Sequence, residues 1–496
     1  MTEYLITAEA DKIQDLIFRS SKLKEIIGGS ELLRNFCNST VPILIGEFNG
    51  QEIASGGGTI FATFPTENYA NQFRELLAEL YRQELNSTLT MIKPTNFNQD
   101  ALKRAHYLLK KQKLSGNPPT SVIQTPFFEV CSSCGVGIAS KQVRLEGETI
   151  MLCNSCYEKN KMGGEAIGNF LGKFKEVLNR RGTLNENPFI IDIDEFSEKT
   201  DKNGYIAYLL ADGNDMGAVF HACDTVEKVK TLSSTLENII YESLAIPTTL
   251  LMDNQDFNDF IPILPLIIGG DDLFSVIPAA WVLDFTRRFI RQYEKKMGSV
   301  FEEIQIDQSI TPPNLSASVV ICKSTFPYRI AHQIGEELLN TAKKISKSNG
   351  DSAISFMLIS GSLSSNIEKD REEMFVMNYP AFSITQISNL IEDRYELRSF
   401  SQTKRIRLKK LYEKAKNLNF QEMESSWYEK LSRFLTRLPR EIATKLENSL
   451  RKFGDPNRAG YWERIEDKYY NGVTQLIDVW NFCCDLEKSP NEYITG

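Results

Sequence analysis

The chain has 496 residues, 42% of them hydrophobic and 25% charged, with a formal net charge of −8. That composition allows three or four domains and a sizeable core, and no apolar run approaches the ~18 residues of a membrane span. Residues 1–9 carry no secretion signal, so the cytoplasm is the expected location, and the acidic balance speaks against indiscriminate nucleic-acid coating without excluding a local basic groove.

In chain order, Glu3–Ala8 reads as a short strand, about 11–38 as a long helical region and about 67–85 as a helix. Between them lies Gly56-Gly57-Gly58-Thr59-Ile60-Phe61, a glycine turn running into an apolar strand. Residues 114–126, with Pro118, Pro119 and Pro126, read as a linker. It leads into Cys131-Ser-Ser-Cys134 and Cys153-Asn-Ser-Cys156, two pairs separated by 18 residues. This is the spacing of a four-thiolate zinc site, with Gly135 and Gly137 permitting a tight knuckle. A closed four-cysteine set leaves no open coordination position, so its zinc is structural. Four reduced thiols in a small core, or a redox pair, are the alternatives. Cys37, Cys223, Cys322, Cys483 and Cys484 show no ligand spacing and read as core residues. His106, His221 and His332 are scattered and read as packing or surface residues.

A second linker lies near 182–188. Tyr205 to Ala211 reads as a buried strand ending in Asp212-Gly213-Asn214-Asp215-Met216-Gly217, followed by a helix over about 224–245 with Asp224 as N-cap and a polar loop at 254–259. The apolar runs 261–268 and 273–277 then flank Gly269-Gly270-Asp271-Asp272, which is strand, tight turn, strand with two carboxylates at the tip. Two unit charges about 4 Å apart cost roughly 4 kcal/mol at an effective dielectric near 20. A divalent cation is the usual way to keep both ionised, and Mg²⁺ so held serves phosphoryl and nucleotidyl transfer. Asp and Gly are also ordinary hairpin residues, so a plain turn is the bland reading. The β-α-β-β order opens a ferredoxin-like sheet, which brings Asp212 beside Asp271 and Asp272.

A helix follows at about 280–297, with Trp281, Phe285, Phe289, Tyr293 and Met297 at four-residue spacing, then a strand at about 315–322 and a helix carrying Lys343 and Lys344. Gly361–Ser365 marks the end of this unit. Beyond 366 the pattern is helical and charged, with Lys404, Arg405, Arg407, Lys409, Lys410, Lys414 and Lys416 clustered and Arg433, Arg437, Arg440 and Lys445 at near-helical intervals. That is either a solvated face or a surface for RNA phosphates or a neighbouring subunit. The stretch from Gly56 also aligns without a gap to the stretch from Gly269: both begin Gly-Gly, have Phe at the sixth position and end in Pro. The chain thus reads as the same β-α-β-β-α-β module twice, with Gly58 and Thr59 replacing the two acids in the first copy, and chance similarity of two amphipathic hairpins is the bland alternative. That copy cannot bind metal at its turn but can let phosphate approach its backbone.

The ordered set of Ile13-Gln14-Asp15-Leu16-Ile17-Phe18, Gly28-Gly29-Ser30-Glu31-Leu32-Leu33, Gly56-Gly57-Gly58, the cysteine pairs, Leu210-Ala211-Asp212-Gly213-Asn214-Asp215, Gly269-Gly270-Asp271-Asp272 and Leu338-Leu339-Asn340-Thr341-Ala342-Lys343-Lys344 resembles the large, polymerase-like subunit of type III CRISPR effector complexes. The turn with its two acids alone also suits a diguanylate-type cyclase. The fold the resemblance implies is α+β: a degenerate first palm (1–120), a zinc-binding and helical linker module (121–185), a second palm (186–365) and an all-α C-terminal domain (366–496). Two palms of this family face each other and join ATP into cyclic oligoadenylate messengers when target RNA is bound. Asp212, Asp271 and Asp272 would hold Mg²⁺ or Mn²⁺. Gly28, Gly29, Ser30, Gly56, Gly57, Gly58, Gly269, Gly270, Ser275, Lys343 and Lys344 would contact nucleotide. The implied partners are other subunits of the complex, among them a small helical one, and guide and target RNA through the complex. The family's frequent N-terminal His-Asp nuclease domain is not expected here, because no His-Asp pair occurs. Where relatives often have Asp-x-Asp, this chain has Asp212-Gly213-Asn214-Asp215, so Asp212 carries over and Asp215 only loosely. Transfer of AMP to another small molecule, or a non-catalytic nucleotide-binding scaffold, are the alternative functions.

Overall fold

The computed structural model describes residues 3–11, 13–19, 23–98, 101–115, 129–145, 148–182, 187–223, 225–255, 257, 259–306, 310–360, 379–414, 423–454, 461–465 and 468–493. Asp224, Lys416, the linker prolines and the 361–365 turn lie outside the described residues.

The first module runs β1 (Tyr4–Ala10), α1 (Ile13–Phe18), α2 (Leu23–Asn35), α3 (Val41–Glu47), β2 (Gln51–Gly56), β3 (Thr59–Phe64), α4 (Glu67–Leu85), β4 (Leu89–Met91), β5 (Thr95–Asn96) and α5 (Ala101–Ser115). Its sheet is ordered β2-β3-β1-β4, with β5 also pairing β1. Helix α4 starts where the Thr66 side chain accepts from the Tyr69 N–H, and it buries Ala70, Phe73, Leu77 and Tyr81 along one stripe.

After β6 (Lys141–Leu145), β7 (Glu148–Leu152), α6 (Asn154–Arg180) and α7 (Ile193–Thr200), the second module repeats the order: β8 (Tyr205–Gly213), α8 (Met216–Ala222), α9 (Val226–Asn254), β9 (Leu264–Gly269), β10 (Asp272–Pro278), α10 (Val282–Glu303), β11 (Leu315–Lys323) and α11 (Tyr328–Asn349). Its strands lie β9-β10-β8-β11, extended by β12 (Ala353–Leu358) and β13 (Phe382–Ser383). Counted within each module, both sheets run second-third-first-fourth, the ferredoxin-like order that the sequence repeat predicts. The aromatic stripe Phe285, Phe289, Tyr293 and Met297 of α10 is fully buried.

Several boundaries differ from expectation. Helix α9 is capped by Thr225, whose side chain accepts from the Lys228 N–H, and runs on to Asn254 through Pro247. The sheet takes its last strand, Phe382–Ser383, from beyond residue 365. The C-terminal region is mainly helical but is not all-α, because Glu463–Ile465 and Lys468–Tyr470 pair as a short hairpin. Strands of two or three residues carry too little alternation to be read from sequence.

The modules pack through named contacts. Phe18 of α1 stacks on His332 and meets the edge of Phe274 in β10, and α2 lies between α6 and β9. Buried in that apolar wall, His332 is pushed down to about 4, which makes it a neutral core residue.

Candidate active site

Gly269 pairs with Asp272, so the β9–β10 turn is a two-residue loop of Gly270 and Asp271. Gly270 has φ +64°, the sign that a hairpin of this length needs at its first central position. Leu273 lies opposite Ala211, so the next pair outward sets Asp272 against Asp212. Those two carboxyl groups share a hydrogen bond, and the Lys343 ammonium of α11 donates to Asp212 Oδ2. The Asp271 carboxylate turns inward, and its Oδ2 lies 2.8 Å from where a Cβ on Gly213 would be. Any side chain at 213 would therefore expel Asp271. The same empty position is 2.9 Å from the hydroxyl of Tyr293, a buried α10 residue.

Asp271 is half-buried and Asp272 remains open to solvent. Loss of bulk water around Asp271, and then the Asp212 charge, raise its carboxyl to about 7. Asp272 is pushed well above the usual carboxylate range by the surrounding protein and then by Asp271 and Asp212. One lysine does not compensate three acids. Hard oxygen donors, unrelieved like-charge repulsion and the open space over Gly269 and Gly270, where an added Cβ would meet nothing within 4 Å, are what a divalent cation with a bound phosphate requires. The oxygens are not already closed into a cage. Among the described residues, the four cysteines are the one acid, thiol or imidazole group whose ligand atoms all lie within 4.8 Å of one another.

Those four thiols fit a tetrahedral metal. Cys131 and Cys134 sit on the knuckle before β6, Cys153 caps α6 and Cys156 lies in its first turn. The Gly135 φ of +65° makes the knuckle, and a Cβ on Gly137 would lie 2.9 Å from Cys153 Sγ. The knuckle is tied to α2 by a buried 2.5 Å hydrogen bond from Ser133 Oγ to Glu25.

Other expected ligand residues have different tasks. Gly28 and Gly29 are buried in the middle of α2, where a Cβ on Gly28 would fall 1.9 Å from the Lys159 carbonyl oxygen of α6. Their smallness serves a helix crossing, and Ser30 is a mid-helix residue beside them. Ser275 is fully buried and donates to the Leu264 carbonyl at 3.2 Å beside a β-bulge, so it faces the sheet and not a nucleotide. Lys344 is exposed, in contrast to Lys343. Gly57 and Gly58, with φ of +58° and +82°, form the first-palm turn, and the Gly58 carbonyl accepts from the Ala10 N–H at 2.7 Å. Asp215 is exposed with φ +54° and makes no cap bond to α8.

Residues 205–351 match the family model of the Cas10/Cmr2 second palm domain. The chain carries a Cas10-type second palm. Its fold extends the likeness over nearly the whole length. A structure of the Csm1–Csm4 cassette in complex with cA3 shares it with a TM-score of 0.59 and 12% identity over 97% of this chain and 70% of that one. The cassette in complex with cA4 gives 0.58 and 13% with the same coverage. Csm1 of T. onnurineus gives 0.57 and 16%, again over 97% and 70%. No curated protein matches the chain significantly. The resemblance to the large type III effector subunit therefore holds: the chain is Cas10-like.

Within this Cas10-type palm, sequence reading missed Gly213, Tyr293 and the surroundings of Asn214. It also missed an equivalence in the other palm. Glu9 ends β1 opposite Thr59, as Asp212 ends β8 opposite Asp272, and Glu9 is paired at 2.5 Å with Lys113 of α5. Both palms thus bring a lysine from the helix after the fourth strand to the acid that ends the first. The gapless hairpin repeat does not reach Glu9, because Glu9 precedes Thr59 by 50 residues whereas Asp212 precedes Asp272 by 60.

Proposed function

We propose that this chain is the polymerase-like subunit of a type III effector complex and that its second palm joins ATP into cyclic oligoadenylate-type messengers when target RNA binds. The observation that carries this is the meeting of Asp212 with Asp272, and of Asp271 beside them, at the open edge of a Cas10-type palm. Asp212, Asp271 and Asp272 would hold Mg²⁺ or Mn²⁺, which when bound supplies charge stabilisation to the reacting phosphate. The chain's own part is positional. Gly269 and Gly270 leave room for a triphosphate, and Lys343 is placed to pass from Asp212 to its oxygens. A 3′-hydroxyl of one ATP gives up its proton to solvent and attacks the α-phosphorus of another; a P–O bond forms as the bond from that phosphorus to the α,β-bridging oxygen breaks, and pyrophosphate leaves with its electron pair. The first palm, through Gly56, Gly57 and Gly58, would cradle the other ATP.

The four cysteines would hold a structural zinc that ties the linker module to α2. Domain limits at 120 and 185, a second palm whose sheet runs on to Ser383, a cytoplasmic setting, and contacts of the C-terminal basic helices with a small helical subunit and RNA belong to the same reading. No helix among the described residues is long and apolar enough to cross a membrane. The Csm1–Csm4 structures in complex with cA3, cA4 and one ATP concern those proteins, and they support the choice of ATP here.

The test is to incubate the purified chain, alone and in its reconstituted complex with target RNA, with each labelled NTP and Mg²⁺ or Mn²⁺. Cyclic adenylate product supports the proposal. A linear AMP conjugate moves it to AMP transfer, and nucleotide binding without turnover leaves a scaffold.

A further inference from the structure

Asp212 stands at a strand end followed by Gly213, which has no side chain to fix it, and by Asp215 in the left-handed region. Something must hold the strand end. Asn214 does so with its backbone N–H and both ends of its side-chain amide. Its N–H donates to the Asn314 carbonyl at 2.9 Å. Its Nδ2 donates to Asn314 Oδ1 at 2.7 Å and to Ser346 Oγ at 2.8 Å, and its Oδ1 accepts from Ser316 Oγ at 2.9 Å. Ser316 is the β11 residue opposite Asp212, and Ser346 lies one turn beyond Lys343 on α11. One amide therefore fastens together the three elements that carry Asp212, its strand partner and its lysine.

The first palm contains the same fastening in different chemistry. Asp11 follows Glu9 by two residues, as Asn214 follows Asp212. Its N–H donates to the Thr88 carbonyl at 2.9 Å, and its carboxylate accepts from Thr88 Oγ1 at 2.9 Å and Thr90 Oγ1 at 2.6 Å. Thr90 is opposite Glu9, as Ser316 is opposite Asp212. Thr88 and Asn314 each precede those residues by two. The fastening is thus present in a palm whose turn has no acids, so its purpose there is the geometry of the strand end and not metal ligation.

We infer that Asn214 is a positioning residue that aims Asp212, acting through Asn314, Ser316 and Ser346, and is not itself a ligand in spite of standing beside the acids. This rests on the metal-dependent reading above. A lost outer-layer bond of this kind typically costs about 10- to 100-fold in metal affinity.

The test uses the full chain, with Mn²⁺ affinity read by electron paramagnetic resonance and folding by Tm. N214A should weaken Mn²⁺ binding about tenfold or more. N214D alone should also weaken it, because a carboxylate would face Asn314 Oδ1. N214D/N314T, which copies the first palm's Asp11 and Thr88, should restore it, a rescue that a merely structural loss would not show. S316A removes only one accepted bond and, should N214A fail to fold, is the variant expected to weaken binding with Tm kept. Wild-type Mn²⁺ affinity in folded N214A or S316A would overturn the positioning role. Tighter binding by N214D alone would make position 214 a ligand and overturn it as well. Wild-type chain that binds no Mn²⁺ would instead overturn the metal reading, and this inference with it.

Discussion

The two palms are one design with two different charges at the tip. They share strand order, a two-residue hairpin turn, a fastening residue after the first strand and a lysine on the acid that ends that strand. They differ where Gly58 and Thr59 stand in place of Asp271 and Asp272. In the first palm Glu9 and Lys113 cancel. In the second, three acids face one lysine, and the two acids of the turn are pushed towards their neutral forms. The scaffold is therefore the same with and without acids at the turn, and on the proposed reading the uncompensated charge there is what a cation would neutralise.

Erasing the difference between the two turns should have the greatest consequence. D271G/D272T makes the second turn a copy of the first, and it removes repulsion as well as function. Product formation should fall on the order of 10³-fold or more, Mn²⁺ binding should vanish, and the Tm of the metal-free protein should hold or rise. Labelled-ATP turnover and calorimetry on the same sample check both halves. Retained synthesis would sink the metal assignment.

The lysines give a smaller effect. Among the described residues Lys343 reaches an acid and Lys344 does not, so K343M should raise KM for ATP about tenfold, roughly 1.4 kcal/mol, whereas K344M should leave it near wild type. K113M, whose partner Glu9 has no acidic turn beside it, should change turnover less than K343M. Equal effects of K343M and K344M would mean that the Asp212 pairing does not select the phosphate contact.

Much of this was legible because hairpins are local. The apolar runs around Gly56 and Gly269 and their turn residues lie within ten positions, so the repeat could be read and the topology followed. Glycines in helices were ambiguous in a way the sequence could not resolve. A glycine marks close approach of something, and for Gly28 the something is the backbone of α6 near Lys159 and not a phosphate. Ser275 was misplaced because its burial, with its hydroxyl on the Leu264 carbonyl of the neighbouring strand, is a packing feature that the turn sequence does not carry. The fastening of Asn214 was illegible since its partners Asn314 and Ser346 lie 100 and 132 residues away.

Glycine substitution turns that ambiguity into a measurement. G28A must push α2 and α6 apart and should cost about 1–3 kcal/mol of stability, seen as a lower Tm, without a specific change in ATP affinity. G269A meets nothing within 4 Å and has ordinary backbone φ, so it should fold as wild type and lose activity only by crowding the nucleotide. If G28A kept its Tm but lost ATP, the first palm's glycines would be ligand residues after all.

The smallest expected effect is on the pH dependence of stability, and its sign separates the palms. An unfolded chain releases the Asp271 proton near the ordinary value of about 3.9, whereas the folded protein holds it to about 7, because burial and then Asp212 disfavour the charge. Between those limits the folded state binds more protons than the unfolded state, so metal-free stability should fall as pH rises through that window. Gly58 cannot contribute such a slope. D271N should flatten the decline of Tm between about pH 4 and about pH 7 by removing the group that titrates. Mn²⁺ should recover Tm most at the alkaline end, because there the cation no longer competes with a proton. An unchanged slope in D271N would mean that Lys343 already keeps Asp271 ionised. The second turn would then be as self-sufficient as the first, and charge surplus would no longer support the proposed metal there.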